Sequence, residues 1–319
     1  MTRLFSRRQT GVGSRATFEK TIDKLFRLLT LGLAIGISLI LVAIFGVIIW
    51  RAWPAILEYG LGFILSMSWN PVIGRENYGA LPVVYGTIAS SFIGIFFAAP
   101  LGVGTAIFLS KDFIPTQIRV PLIFLVELLA AIPSVVYGLW GIFILTPLVR
   151  PLSEWLYNTL YWVPIFSKPP IGGTGLLASG IILAIMILPI ITAIARESLD
   201  SLPVDLKQAS LGLGATRWQT LFRVLIPAAF PGIAGGIMLA LGRAMGETMA
   251  VTMIIGNVNK ISVSVLEPAN TISSLIASQF AEASGMQVSA LMYAGLVLLF
   301  LTFIVNIFAG FIIDRTRIR

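Results

Sequence analysis

An all-α, polytopic membrane fold of six spans is predicted for this chain by three observations: scarce charge, long uncharged runs, and a lopsided distribution of Lys and Arg. Charged residues make up 11% of the 319 and hydrophobic ones 57%, against roughly 25% charged in soluble domains. A soluble chain of this length needs a wettable surface around its core. The charges here are too few to cover one.

The uncharged runs place the spans. Residues 28–50, 77–110, 169–195 and 283–313 carry no charge, 120–149 only Glu127, and 224–256 only Arg243 and Glu247. Each exceeds the ~20 residues a bilayer demands. With no water in the hydrocarbon to satisfy backbone groups, each is expected to be a helix, and β-barrel alternation is absent. Residues 1–27 are polar and basic, and the run behind them is too long for a signal peptide. They are expected to form a cytoplasmic tail, disordered or surface-lying, ahead of one transmembrane domain over 28–319.

Six spans put both termini on one side. Of the 22 Lys and Arg, sixteen lie in the tail, in loops 111–119 and 196–223, and at the C-terminal end; five lie in the opposite loops 51–78, 150–174 and 257–287, and Arg243 lies in a span. The positive-inside rule then places both termini in the cytoplasm. This accounts for the net charge of +8 and the pI near 10, so nucleic acid is not needed as a partner. The chain has no Cys and no His, which removes thiolate metal sites, the commonest metal ligand and the commonest general base. A membrane-embedded hydrolase is poorly equipped on that inventory.

Segment 196–227 is the most informative soluble piece. Pro203 suits the first position of a short helix, and Gly212 and Gly214 offer its stop. Thr216 and Gln219 then form a capping box for a second helix. On it Trp218, Leu221, Phe222 and Leu225 share a face, and Pro227 closes it. The shape is a helix–turn–helix at the inner membrane face, either a surface connector or a docking knob for a cytoplasmic partner.

Arg243, Glu247 and Glu127 are the costly residues, at about 2.5–3.5 kcal/mol per charge at the bilayer centre. Arg243 is expected near the middle of its span and paired with Glu247 one turn on. Gly232, Gly236, Ala240, Arg243, Glu247 and Ala250 form one stripe, and Glu127 shares another with Ala131, Ser134, Gly138 and Gly141. Small residues there allow close packing. Two readings stand: an ion pair that fixes helix register, and a charged lining for an ionic solute. A carboxylate beside the cation opposes a bare anion but accepts a hydrogen bond from a protonated one. Hydrogen phosphate carries such a proton near neutrality, by analogy with phosphoserine, whose second pKa is about 6.

Two sets of motifs carry a family resemblance. Gln208-Ala209-Ser210, Gly214, Val224, Ile226 and Pro227 fall at the spacing of the EAA loop of type I ABC-importer permeases, with Gln in place of Glu and Ser in place of the second Ala. LGRAMGETMAV (241–251), VELLAAIPSVVYGLWG (126–141) and YGALPVVYGTIASS (78–91) resemble the permeases of bacterial phosphate ABC importers, and the resemblance covers most of 28–313. It implies a MetI-like permease domain in the inner membrane of a bacterium and makes 196–227 the coupling segment, with Gln208, Ala209, Ser210, Gly212, Gly214, Trp218 and Pro227 as its marks. It implies Arg243, Glu247 and Glu127 as charges of the translocation path. It further implies a second permease subunit, an ATPase dimer, a periplasmic phosphate-binding protein with 51–78 and 257–287 facing it, phosphate as solute and lipid around the spans. No cofactor is expected in this chain. It has no G-x-x-x-x-G-K-[ST] loop, so ATP and Mg²⁺ would be bound by the partner ATPase. A permease for another small oxyanion and an ion-coupled secondary transporter remain as alternatives. The latter calls for internal inverted repeats, which are not evident.

Overall fold

The computed structural model describes residues 12–72, 74–110 and 114–316. The first eleven residues of the expected tail, Lys111 of the second basic loop, and Arg317 and Arg319 at the end lie outside them. The chain divides into two compact units, one ending at Arg51 and one running from Ala52 to Arg319.

The opening helix α1 (Val12–Tyr59) is 48 residues long, about 72 Å at 1.5 Å per residue. The tail expected to be disordered or surface-lying is therefore helical from Val12 onward. No Pro or Gly falls between Ser14 and Thr30, and Lys20, Lys24, Leu25 and Arg27 are good helix formers, so nothing stops the helix before the apolar run.

In the second unit a short helix α2 (Gly62–Leu65) leads to a two-stranded antiparallel hairpin, β1 (Trp69–Asn70) with β2 (Asn77–Tyr78), in which Trp69 pairs Tyr78. The elements that follow are α3 (Leu81–Phe108), α4 (Thr116–Ala131), α5 (Ser134–Trp140), a π-turn (Gly141–Leu145), α6 (Thr146–Leu160), α7 (Leu176–Asp200), α8 (Val204–Gly212) and α9 (Arg217–Thr220). A second π-turn (Leu221–Leu225), α10 (Ile226–Gly246), α11 (Met249–Ile254), α12 (Ile272–Gln279) and α13 (Met286–Thr316) complete it.

Among the described residues six helical stretches are long and apolar enough to cross a membrane: Ile22–Tyr59, Leu81–Phe108, Ser134–Leu160, Leu176–Asp200, Arg217–Gly246 and Met286–Phe308. The count agrees with the sequence, but two spans are shifted. The third was expected over 120–149. Instead α4 ends at Ala131, Ile132 and Pro133 are extended, and a new helix starts at Ser134. Pro133 has no N–H to continue α4, and it disfavours a helical conformation at Ile132. The new helix runs on through Arg150 and Glu154, which pair with each other at 2.9 Å. The fifth was expected over 224–256. It starts at Arg217, stops at Gly246, and resumes as α11 after an extended Glu247.

Both π-turns have the same local cause. Thr146 N–H donates to Gly141 and Ile226 N–H to Leu221, five residues back, and each is followed by a proline, Pro147 or Pro227. A proline ring crowds the carbonyl four residues before it, and the wider turn gives that carbonyl room.

α7 is the centre of the unit. Leu183, Ile187 and Ile191 are buried with Ala98 of α3 and Ala240 and Ala244 of α10. The backbones approach through glycine: a Cβ on Gly94 would lie 3.0 Å from Leu183 Cβ, and one on Gly102 2.9 Å from Ile191 Cγ2. Gly236 faces Ile194 in the same way. In hydrocarbon such packing, rather than hydrophobic exclusion, holds helices together. The N-terminus of α7 is covered by 255–271: Leu176 N–H donates to Glu267 and Leu177 N–H to Val265, at 3.2 and 2.8 Å. Gly175, at φ +150°, lets that segment approach: a Cβ there would lie 2.7 Å from the Glu267 carbonyl oxygen.

A Gly102→Leu substitution is expected to cost roughly 1–3 kcal/mol or more by overpacking. Gly104→Leu, on the same helix with nothing within 4 Å, is expected to be near neutral. Thermal unfolding in detergent, with yield of monodisperse protein, separates the two.

Candidate functional site

Two places in the second unit carry the residues singled out by the sequence. The first is the hairpin between α7 and α10. Pro203 is the N-cap of α8 rather than its first residue, one position from expectation. α8 ends in a paired C-cap: Ala215 N–H donates to Ser210 and Gly214 N–H to Leu211, at 3.2 and 3.0 Å, with Gly214 at φ +87°. This is the Schellman arrangement, which needs a left-handed residue just past the helix. Gly212 stays inside α8. The capping box is present in full: Gln219 N–H donates to Thr216 Oγ1 at 3.2 Å, and Thr216 N–H to Gln219 Oε1 at 2.9 Å.

The second short helix is not a separate piece. Through the π-turn at Leu221–Leu225 it is the first part of span five, so any displacement of the hairpin acts directly on that span. The expected apolar face divides. Leu221 is buried, whereas Trp218 and Phe222 are exposed and stack on each other at 5.8 Å. Gln208, Ala209, Gly212 and Gly214 are exposed and Pro227 is half-buried. Ser210 is buried, with its hydroxyl 3.0 Å from that of Thr220. The Ser that departs from the EAA pattern thus ties α8 to α9. Leu213 at the tip is 90% exposed, and Val204, Trp218 and Phe222 are exposed as well.

The second place is where two interrupted spans meet. The break at Ile132–Pro133 is bridged by Tyr137, whose hydroxyl donates to the Leu129 carbonyl at 2.8 Å. The break at Glu247–Thr248 is capped by Glu247, whose Oε1 accepts the Ala250 N–H at 3.4 Å. Gly138 lies against α11: a Cβ there would be 3.3 Å from Ala250 Cα. Irregular backbone at membrane depth is tolerated only where protein buries it or a cavity meets it.

The expected Arg243–Glu247 pair does not form. Arg243 sits in the last turn of α10, not midway along a span, and the helix ends before Glu247, so the one-turn spacing is lost. The ion pairs among the described residues join Arg119 to Asp200, Arg150 to Glu154, Arg196 to Glu127 and Lys260 to Glu267. Arg243 is in none of them. Arg243 is exposed on this chain. The carbonyl end of α10 favours a cation in that turn. The predicted stripe divides accordingly: Gly232, Gly236 and Ala240 pack toward α7, Arg243 turns outward, and Ala250 belongs to α11.

Glu127 also differs from expectation. It lies on α4, before the break, with its side chain 57% exposed and 3.7 Å from Arg196 of α7. Its stripe stops at Ala131, while Gly138 and Gly141 pack on α11. Two residues that sequence reasoning missed, Arg119 and Asp200, make a second bridge between the same helices at 3.6 Å. Their signal was absent, since the partners are 81 positions apart in sequence. Tyr137 was legible only as part of a motif.

The arrangement is six spans with a helical hairpin between the fourth and the fifth. The family described as "Binding-protein-dependent transport system inner membrane component" matches residues 98–318, and the chain belongs to it. It is accordingly a multi-pass membrane subunit of a transporter, not itself an enzyme, and part of a complex with other subunits. The "Phosphate transport system permease protein PstC" of Mesorhizobium japonicum is 44% identical, over 93% of this chain and 91% of that protein. The PstC of Pasteurella multocida is 40% identical, over 97% of each. Among solved structures, the inward-facing MetNI methionine ABC transporter aligns with TM-score 0.55 and 19% identity, over 73% of this chain and 94% of that one. A bacterial importer of the acidic polysaccharide alginate aligns with TM-score 0.52 and 19% identity, over 85% and 98%. These two share the MetI-like fold.

Ser210→Ala is expected to weaken the hairpin by about 0.5–1.5 kcal/mol, because it leaves Thr220 without its partner. Faster amide exchange over 204–212, with that of α7 unchanged, would be the signature.

Proposed function

We propose that this chain is a PstC-type permease subunit that carries inorganic phosphate into the cell within an ATP-driven importer. The observation that carries the reading is Arg243, a guanidinium at the junction of two interrupted spans with no ion-pair partner among the described residues. It sits in a chain 44% identical to a PstC along nearly its whole length. A guanidinium with free donors suits a planar pair of oxyanion oxygens. Glu247, beside the start of α11, would accept a hydrogen bond from hydrogen phosphate and repel an anion that has no proton to donate.

The partners follow from this reading: a PstA-like second permease, a PstB-like ATPase dimer holding ATP and Mg²⁺, and a PstS-like receptor. Both termini would be cytoplasmic, with residues 1–27 as a basic extension and 28–319 as the permease domain. The hairpin around Leu213 would seat in the ATPase. Closure of the ATPase dimer would push α8 and α9, and because α9 continues into α10, the push would reach Arg243 along one helix. The path would then open toward the loaded receptor, and hydrolysis would reset it. Coupling of this kind needs two packings that both ends bias.

Arg243→Leu in the assembled importer is expected to lower nucleotide-dependent phosphate uptake into vesicles at least about 100-fold, as loss of a charge-assisted contact worth ~3 kcal/mol implies. Undiminished uptake would sink the role of Arg243, and uptake that persists without nucleotide would reject the ABC reading. Leu213→Asp is expected to leave the permease inserted and folded but to abolish copurification of the ATPase. Retained ATPase would remove the hairpin from the interface.

A further inference from the structure

The hairpin between α7 and α10 has two ends. Its α9 end runs on into span five, whereas its α8 end is joined to α7 through Ser201–Pro203. That joint folds back on α7: Ser201 N–H donates to Glu197 at 2.9 Å and Leu202 N–H to Leu199 at 3.4 Å. A displacement of α8 therefore reaches the end of α7. There Asp200 faces Arg119, in the first turn of α4, at 3.6 Å, and one turn back Arg196 faces Glu127 at 3.7 Å. The first pair is sheltered, its side chains 18% and 17% exposed. Otherwise α4 is lightly held. It packs against α7 yet buries none of its own residues, and Ile118, Phe124, Leu125 and Leu128 are exposed. Elements with so little burial are the ones that move. At its far end the extended Ile132 and Pro133 separate α4 from α5, with the Tyr137 hydroxyl as the strap across. Beyond that break Gly138 lies against α11, next to Glu247.

Neither pair is fully made. Charge-assisted hydrogen bonds of this kind close to about 2.7–2.9 Å, and Arg119 Nε is buried with no hydrogen-bond partner among the described residues. A guanidinium presents its N–H groups as a fork to both oxygens of one carboxylate. The Arg119–Asp200 pair therefore has a closer, two-bond arrangement open to it. We propose that Arg119 and Asp200 are positioning residues of the transport cycle: through them the α8 end of the hairpin moves α4 about the Ile132–Pro133 break. Arg196 and Glu127 form a weaker second point of the same joint. The hairpin then acts on both interrupted spans, on span five through α9 and on span three through this pair. A slack pair and a two-bond pair give α4 the two arrangements that coupling needs. The inference rests on the ATP-driven importer reading, in which the ATPase supplies the displacement.

The chain contains no Cys, so spin labels go on Gln117→Cys of α4 and Phe303→Cys of α13, both exposed, in the assembled importer with its other subunits free of reactive Cys. Double electron–electron resonance reads the distance between them with and without a non-hydrolysable ATP analogue. A shift is expected in the otherwise wild-type chain, and its loss in Arg119→Gln. In proteoliposomes Arg119→Gln is expected to lower the phosphate imported per ATP hydrolysed about tenfold, within the ~5–150-fold range of coupling between sites, with hydrolysis itself retained. The swap of Arg119→Asp with Asp200→Arg is expected to restore part of both readouts. Arg119→Lys keeps the charge, loses the fork and is expected to fall between; it carries the test should Arg119→Gln fail to assemble. ATPase copurification and thermal unfolding confirm assembly of each variant. A distance that nucleotide leaves unchanged overturns the proposal, as does a shift or a wild-type stoichiometry that survives Arg119→Gln. Uptake and hydrolysis that fall together, with no rescue by the swap, would make the pair a static prop and overturn it as well. Nucleotide-independent uptake by the wild type would instead reject the importer reading, and this joint with it.

Discussion

The structure depends on one constraint: in hydrocarbon no backbone N–H or C=O can turn to water, so every interruption of a helix must be repaired locally. The repairs are specific. Tyr137 reaches over the Ile132–Pro133 break to the Leu129 carbonyl, and Glu247 caps the helix that resumes after its own break. Widened turns precede Pro147 and Pro227, and carbonyls of Val265 and Glu267 take the first amides of α7. Four distinct solutions answer one demand. Beside α11 the chain also carries Arg243, which has no ion-pair partner among the described residues.

That position links architecture to transport. A continuous helix offers a solute only side chains, because its backbone is spent on itself. Two broken helices that meet expose helix ends, whose partial charges can steady a cation such as Arg243 at the carbonyl end of α10. The same helix extends without a break in the other direction to α9. Arg243 and the hairpin therefore share one element, and Ser210 with Thr220 fastens α8 to it.

Charge was partly legible. The number of spans and the coupling hairpin, with its capping box and Gly214, could be read directly, because apolar run length and capping chemistry are local properties. The pairing of charges could not. Arg243 and Glu247 satisfy the one-turn rule as residues in a string, yet the helix ends between them. Glu127 looked like a buried path residue because an uncharged run surrounds it, yet it pairs with Arg196 on another helix. That Pro133 divides two helices, and moves the third span by more than ten residues, was not legible either.

The sequence by itself determined the solvent, the six spans, the missing nucleotide loop and the shape of the coupling segment, since each follows from composition or from contacts within a few residues. Only the tertiary structure decided which helix lies at the centre, where spans three and five break, and which charges meet. Those outcomes turn on close approaches such as Gly94 to Leu183 and Gly138 to Ala250, made by residues far apart in the chain. Periodicity along a single helix carries no information about the partner it will pack against.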